Sequence, residues 1–273
     1  MALDKVVDSA ALDAGMAAVA DAIRAKSGQT GQLVYPDGFA SAVARIKKAP
    51  TTPYMEAEYI AVEDGGGGTN HYIKRAKLYN HTAIYTWEFT RQEYLQNLDF
   101  SDASNNITAI ESQAFERAQV NGLVLPNTIS VLGVACFTSA YIATLIVPPL
   151  VTVLPMMTFS NIQPVYNEET DELLPINIIL PQNLTKIGDY CFEGSQIEQI
   201  TIPDTVTEIG NGAFGYCDRL ASVTCLAATP PALGTGAFYT GTAGFTIKVP
   251  AASVAAYKAA TNWSTYADYI VGV

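Results

Sequence analysis

The fold class this sequence predicts is a mostly β solenoid, with a small N-terminal α-helical module and a C-terminal helical cap. The first observation behind it is a repeat. The segments ITAIESQAF (107–115), ISVLGVACF (129–137), VTVLPMMTF (151–159), LTKIGDYCF (184–192) and VTEIGNGAF (206–214) are apolar at their first and fourth positions and end in Phe. Phe115, Phe137, Phe159, Phe192 and Phe214 therefore fall 22, 22, 33 and 22 residues apart. The second observation is a short β-like run closed by proline between the phenylalanines: LVLP at Pro126, LIVP at Pro148, IILP at Pro181 and ITIP at Pro203. The third is composition. With 49% hydrophobic and 15% charged residues, 20 Gly and 14 Pro, the chain is too apolar for disorder and too interrupted for long helices. A unit of about 22 residues cannot bury its own apolar side, so it must stack on copies of itself.

Residues 1–49 read as a helical attachment module. Leu12, Met16, Val19 and Ile23 recur at spacings of four, three and four, the stripe of one helix face, and Gly28 closes it. A second short helix is expected after Asp37, with Phe39, Val43 and Ile46. So few residues bury too little surface to stand alone, and the stripe is expected to dock on the array, another copy or another protein. Residues 50–81 read as a β-hairpin or linker, MEAEYIAV and HYIKRAKLY around the glycine-rich EDGGGGTN. No Gly-Lys-Ser/Thr follows those glycines, which favours a hairpin tip over a phosphate loop. Residues 82–250 are the solenoid, with degenerate copies at each end: IYTWEF to Phe89 with LDF at Phe100, and GTGAF at Phe238 with IKVP at Pro250. The single interval of 33 is one period plus 11 residues, and it holds the acidic QPVYNEETDELL. Residues 251–273 cap the last coil, which would otherwise expose an apolar face and a strand edge.

Twenty-six acidic residues against 15 basic ones give a formal charge of −11, so gripping nucleic acid phosphates or an anionic membrane is not expected. The uncharged stretch Ser139–Phe159 is interrupted by Pro148, Pro149 and Pro155 and reads as repeat rather than membrane span. The N-terminus has four acids before Ala22 and no basic segment leading into an apolar run, so a secretory signal is not expected and assembly in the cytoplasm is. Cys136, Cys191, Cys217 and Cys225 lack metal-ligand spacing and are expected as buried free thiols. Cys136 and Cys191 occupy the position before Phe that holds Ala114, Thr158 and Ala213 in other coils, a position for small packing residues.

The repeat resembles the BspA-like bacterial leucine-rich repeat family, whose units read I-x-x-I-G-x-x-A-F followed by L-x-x-(I/V)-x-(I/L)-P. Ile187, Gly188, Cys191 and Phe192, then Ile209, Gly210, Ala213 and Phe214, carry the match, whereas Glu111 and Pro155 stand where the family has Gly. The run VPAASVAAYKAATNWSTYADYI is similar to the cap that ends such arrays. Residues Ala22, Ile23, Arg24, Lys26, Ser27 and Gly28 resemble an AIR-x-K-[ST]-G module at the start of phage and prophage tail-associated proteins.

No catalytic, cofactor or metal residue is expected. His71 and His81 are ten residues apart without companions for zinc and are read as surface or structural, and no nucleophile elbow occurs. A glycan hydrolase would need two carboxylates across a groove, which sequence alone does not place. The expected contact residues are Tyr166, Glu168, Glu169, Asp171 and Glu172 in the insertion, a loop whose tyrosine suits a sugar ring or protein pocket and whose acids lack the order of a calcium loop. The two resemblances together imply a non-enzymatic virion protein, tail- or baseplate-associated. Its partners would be other virion or surface proteins and a host-envelope protein or glycan, with oligomerisation through the N-terminal module. A BspA-like cell-surface adhesin is the alternative, and a tail-borne glycan hydrolase the third reading.

Overall fold

A computed structural model of the chain describes residues 55–63, 69–92, 95, 97–103, 105–120, 123–167, 170–239 and 241–273. The stripe Leu12, Met16, Val19 and Ile23, with the rest of the segment 1–49, lies outside the described residues. Because a coil of about 22 residues must turn repeatedly, its strands are short, and they line up as short sheets along a narrow and a wide side of the array. The narrow side has two-residue strands running in parallel in two runs, Ala83–Ile84, Ala109–Ile110 and Val131–Leu132 in one and Val153–Leu154, Lys186–Ile187, Glu208–Ile209 and Ala232–Leu233 in the other. Period-two alternation sends the second residue of each inward, so Ile84, Ile110, Leu132, Leu154, Ile187, Ile209 and Leu233 are buried. The wide side pairs Thr144–Ile146 with Asn177–Ile179, and Gln199–Ile202, Ser222–Cys225 and Thr246–Val249 with one another, again in parallel. Here Leu145, Ile178, Ile200, Val223 and Ile247 point inward.

Between the sheets runs a column of stacked rings. Phe89, Phe115, Phe137, Phe159, Phe192, Phe214 and Phe238 follow one another at centroid distances of 5.0–5.5 Å with interplanar angles of 2–22°. The degenerate first and last coils expected from sequence thus belong to the ladder, and the insertion leaves Phe159 and Phe192 in register at 5.2 Å. A backbone ladder accompanies the rings. The N–H groups of Phe89, Phe115, Phe137, Phe159, Phe192 and Phe214 donate to the carbonyls of Ala114, Cys136, Thr158, Cys191, Ala213 and Ala237 of the next coil at 2.7–3.0 Å. The residues two before and two after Phe take a left-handed φ near +55°, among them Gln113 and Arg117, Ala135 and Ser139, Met157 and Asn161. With that geometry their N–H groups also point along the array: Ala135 donates to Met156 and Ser139 to Ser160 of the next coil. Exposed threonines add rungs, with Thr185 Oγ1 donating to the Thr152 carbonyl at 2.9 Å and Thr207 Oγ1 to that of Thr185 at 3.2 Å.

An added element stands at each described end of the array. The segment expected as a hairpin or linker is the antiparallel hairpin Met55–Glu63 and Thr69–Leu78, but its second strand pairs in parallel with Asn97–Asp99. It therefore forms a three-stranded sheet with the first coil rather than a linker leading to it. The cap is helical only in part. Ala251–Ser253 and Trp263–Tyr269 are 3₁₀ segments around a single α-helix, Val254–Ala259, and Ile270–Gly272 returns as a strand parallel to Thr246–Val249. A helix alone would shield the apolar end of the last coil and leave its strand edge open; the added strand occupies that edge.

The cap also replaces the missing coil chemically. The Phe238 N–H, which in every preceding coil has a next carbonyl to reach, meets the Tyr266 hydroxyl at 3.2 Å. Trp263 Nε1 donates to the Pro231 carbonyl at 2.7 Å, Tyr257 Oη to that of Ala227 at 2.8 Å, and Asn262 Nδ2 to that of Leu233 at 2.6 Å. Trp263 and Tyr257 are fully buried, edge-on to each other, with Trp263 and Tyr266 also against Phe238.

Candidate binding surface

With every inward position filled by the core, partner contacts must come from outward side chains, turns and the insertion. On the wide side the residue between two inward ones faces solvent. In the C-terminal coils that residue is Thr201, Thr224 or Lys248, and in the two preceding coils it is Ile146 and Ile179, exposed to 60% and 44%; one coil earlier Val124, in a segment outside any strand, is exposed to 81%. The narrow side repeats the contrast. Its outward column carries Val131 and Val153 in the middle coils and then changes to Lys186 and Glu208, an ion pair at 2.8 Å. Val134 and Met156, in the turns that follow Val131 and Val153, are exposed as well. The middle coils are thus apolar on the outside of both sides. The sequence held this signal: LVL, LIV and IIL are unbroken apolar runs where ITI, VTC and IKV alternate, and alternation is what a sheet with one face in water requires.

The insertion, expected as a loop, is a β-hairpin. Val165–Asn167 runs antiparallel to Glu172–Leu174, with Leu173 opposite Tyr166 and Leu174 opposite Val165. Val165 is buried and anchors the hairpin to the array, while Tyr166 and Leu173, directly opposed, are both about half exposed. Hairpin formation follows from the residues: valine and tyrosine in one arm, leucines in the other, and a turn in which Asp171 adopts a left-handed φ of 57°. The Tyr166 hydroxyl donates to the Asp171 carboxylate, which ties the ring across the turn. Of the expected contact residues, Tyr166, Asp171 and Glu172 come together on this exposed hairpin, and Glu168 and Glu169 lie outside the described residues. Leu173, which pairs with Tyr166, was not singled out in the sequence because its facing depends on hairpin register.

Beside the hairpin is a cleft of about 260 Å³ lined by Pro164, Leu173, Leu174, Pro175, Ile176, Gln196, Glu198 and Arg219. Arg219 Nη2 is ion-paired to Glu198, and Gln196 Nε2 donates to Gln163 Oε1 at 2.6 Å. Away from it, exposed Tyr216 stacks on Tyr239 with centroids 6.4 Å apart.

All four cysteines are free and buried, as expected. Burial pushes the Cys191 and Cys217 thiols up to about 12, and raises Cys136 and Cys225 as well. His81 is buried, with Nδ1 3.0 Å from the Tyr79 carbonyl and Nε2 2.8 Å from Glu88 Oε1, inside the first coil. Among the described residues no group of three or more His, Cys, Asp or Glu is placed to hold a metal ion, and no helix is long and apolar enough to cross a membrane.

The family model for the BspA type leucine rich repeat region matches residues 71–167 and 173–258, in six copies. The chain belongs to the BspA-type leucine-rich repeat family. The matched range begins in the hairpin Met55–Glu63/Thr69–Leu78 and ends in the cap, consistent with both being continuous with the array. Similar solved structures include a leucine-rich repeat protein from Bacteroides ovatus, 12% identical over 71% of this chain and 70% of that one, with a TM-score of 0.37. The pneumococcal vaccine antigen PcpA is 13% identical over 73% of this chain and 66% of its own, with a TM-score of 0.29. A leucine rich cell surface protein from Faecalibacterium prausnitzii is 16% identical over 62% and 57%, with a TM-score of 0.28. No curated protein matches the chain.

Proposed function

We propose that this BspA-type array is a non-enzymatic recognition protein, holding an apolar binding surface on its middle coils. The observation that carries the reading is the outward Ile146 and Ile179, with exposed Val124 in the coil before them, on one side of the array and Val131 and Val153 on the other, at positions that the C-terminal coils fill with threonine, lysine and glutamate. Apolar side chains exposed in succession on a rigid surface are the mark of a partner-binding patch. In its finer form the proposal places the chain in a phage or prophage tail or baseplate, attached through the segment 1–49 and presenting the array to the host envelope. The resemblance of Ala22 to Gly28 to tail-associated modules supports that placement.

Val131→Lys combined with Val153→Lys is expected to abolish adsorption to host cells or capture of the partner without lowering the melting temperature, since both side chains are exposed. Unchanged adsorption both in this variant and in Ile146→Lys combined with Ile179→Lys removes the binding surface from these coils. Immunogold labelling of purified virions tests the context: label on the tail supports it, whereas label confined to the bacterial surface replaces it with the cellular adhesin.

A further inference from the structure

We infer that the stacked pair Tyr216 and Tyr239, with the carboxylates of Glu193 and Asp218 and the amide oxygen of Asn161 around it, receives an arginine side chain of a partner protein. The site lies towards the C-terminal coils, apart from the apolar surface proposed above, and does not depend on that surface binding anything. Tyr216 is 72% exposed, more than any other described aromatic residue. One face of its ring packs on Tyr239, with centroids 6.4 Å apart. In the preceding coil the matching position, two residues after the ladder Phe, is Gly194, which has no side chain to cover the other face. Tyr239 is set by its own turn: a Cβ on Gly241 would stand 2.3 Å from the tyrosine hydroxyl oxygen, so the ring lies where only glycine leaves room.

The polar atoms around the open face are acceptors. The Asn161 amide reaches over Gly194, with Oδ1 only 2.4 Å from where a Cβ on that glycine would stand. Its Nδ2 is engaged, donating to Ser160 Oγ at 2.9 Å, which leaves Oδ1 as the free end. Glu193 precedes Gly194 and Asp218 follows Tyr216 by two residues, and among the described residues neither is ion-paired. Burial raises the Cys217 thiol, and the Asp218 and Glu193 carboxylates raise it further, which places both charges at the turn that carries Tyr216. The adjoining cation, Arg219, is held by Glu198. An anionic ligand finds no free donor here and is repelled within a chain of net charge −11. A guanidinium brings N–H donors, a positive charge and a flat face that stacks on a tyrosine ring, so it satisfies acceptors, carboxylates and ring together. An ammonium supplies the charge without the stacking plane.

The test is fluorescence anisotropy of a labelled Gly-Arg-Gly-Arg-Gly peptide titrated with the full-length protein, beside the same peptide carrying citrulline, the uncharged isostere, for arginine. The arginine peptide is expected to bind roughly tenfold more tightly than the citrulline peptide and to weaken with salt. Tyr216→Asn removes the ring and suits the left-handed φ of 53° at that position. It should weaken binding by roughly tenfold, while Tyr216→Phe, which keeps the ring, binds as wild type. Glu193→Gln combined with Asp218→Asn should also cost roughly tenfold and flatten the salt dependence. Melting temperatures matching wild type are expected throughout, since these side chains reach solvent. Equal binding of the two peptides, or wild-type binding by Tyr216→Asn or by the carboxylate variant, overturns the inference. Binding of maltohexaose that Tyr216→Asn abolishes, with the arginine peptide unbound, also overturns it and assigns the tyrosine pair to a glycan.

Discussion

At the scale of single residues, the glycine of the repeat is explained by distance. A Cβ on Gly210 would lie 2.4 Å from Asp189 Oδ1 and 2.5 Å from the Asp189 backbone nitrogen, and one on Gly133 would lie 2.2 Å from the backbone nitrogen of Ser112. The position presses against the preceding coil, so a methyl group there forces coils apart. Where the pattern departs, the contact is remade: Glu111 turns its carboxylate onto the N–H and Oγ1 of Thr86, both at 2.8 Å. Gly210→Ala should therefore cost ~1–3 kcal/mol, read by chemical denaturation, as overpacked sites do. The buried thiols give a pH dependence of definite sign. Cys191 and Cys217 sit at about 12 in the folded chain against an ordinary 9.0, so folded protein holds more protons between those values. Their contribution to stability is complete below about pH 9 and is lost as the pH rises towards 12. Alkaline titration should show unfolding in that window, with iodoacetamide labelling of all four thiols appearing only as the fold is lost.

At the scale of the element, one coil is held by its ring and by the backbone bonds on either side of it. Phe137 and Phe192 are each fully buried between two parallel rings, so neither has water or a mobile neighbour to fill a vacated site. Phe137→Ala or Phe192→Ala should destabilise by ~3–5 kcal/mol, and a thermal melt unchanged by either would contradict the ladder as the source of stacking. The cap is the other decisive element. Tyr266→Phe keeps the ring against Phe238 and deletes the hydroxyl that the Phe238 N–H uses. The expected cost is ~1–3 kcal/mol, that of an orphaned buried donor, with amide exchange accelerated in the last coils before the middle ones.

At the scale of the whole molecule, the described coils form one continuous stack. The N-terminal hairpin and the returning strand Ile270–Gly272 each add to a sheet, and the rings run unbroken from Phe89 to Phe238 across the insertion. Stacking in register holds each coil against its neighbours, so the exposed valines of the middle coils and the Tyr166/Leu173 pair keep a fixed spacing. Nearest-neighbour stacking also implies that a middle-coil lesion propagates less than a lesion in a two-layer core. Phe159→Ala should accordingly broaden the unfolding transition as well as lower its midpoint, visible as a smaller denaturant slope.

The sequence by itself determined the architecture, because a period of 22 residues with one Phe per unit has a single efficient way to bury its apolar positions: stacking in register. It also determined the small residue before Phe, the buried cysteines and the place of Phe89 and Phe238 in the ladder. Local pattern stopped being sufficient where the answer lay in a neighbouring coil. Nothing in Gln113, Ala135 or Met157 announces a left-handed backbone, since these residues prefer other conformations and the next coil's carbonyl holds them there. The return of Ile270–Gly272 as a strand was hidden behind a helix-like composition, and only the unpaired edge of Thr246–Val249 draws it in. The acidic insertion was legible as a break in period, but whether Leu173 faces out depends on hairpin register, which cross-strand pairing sets rather than sequence distance.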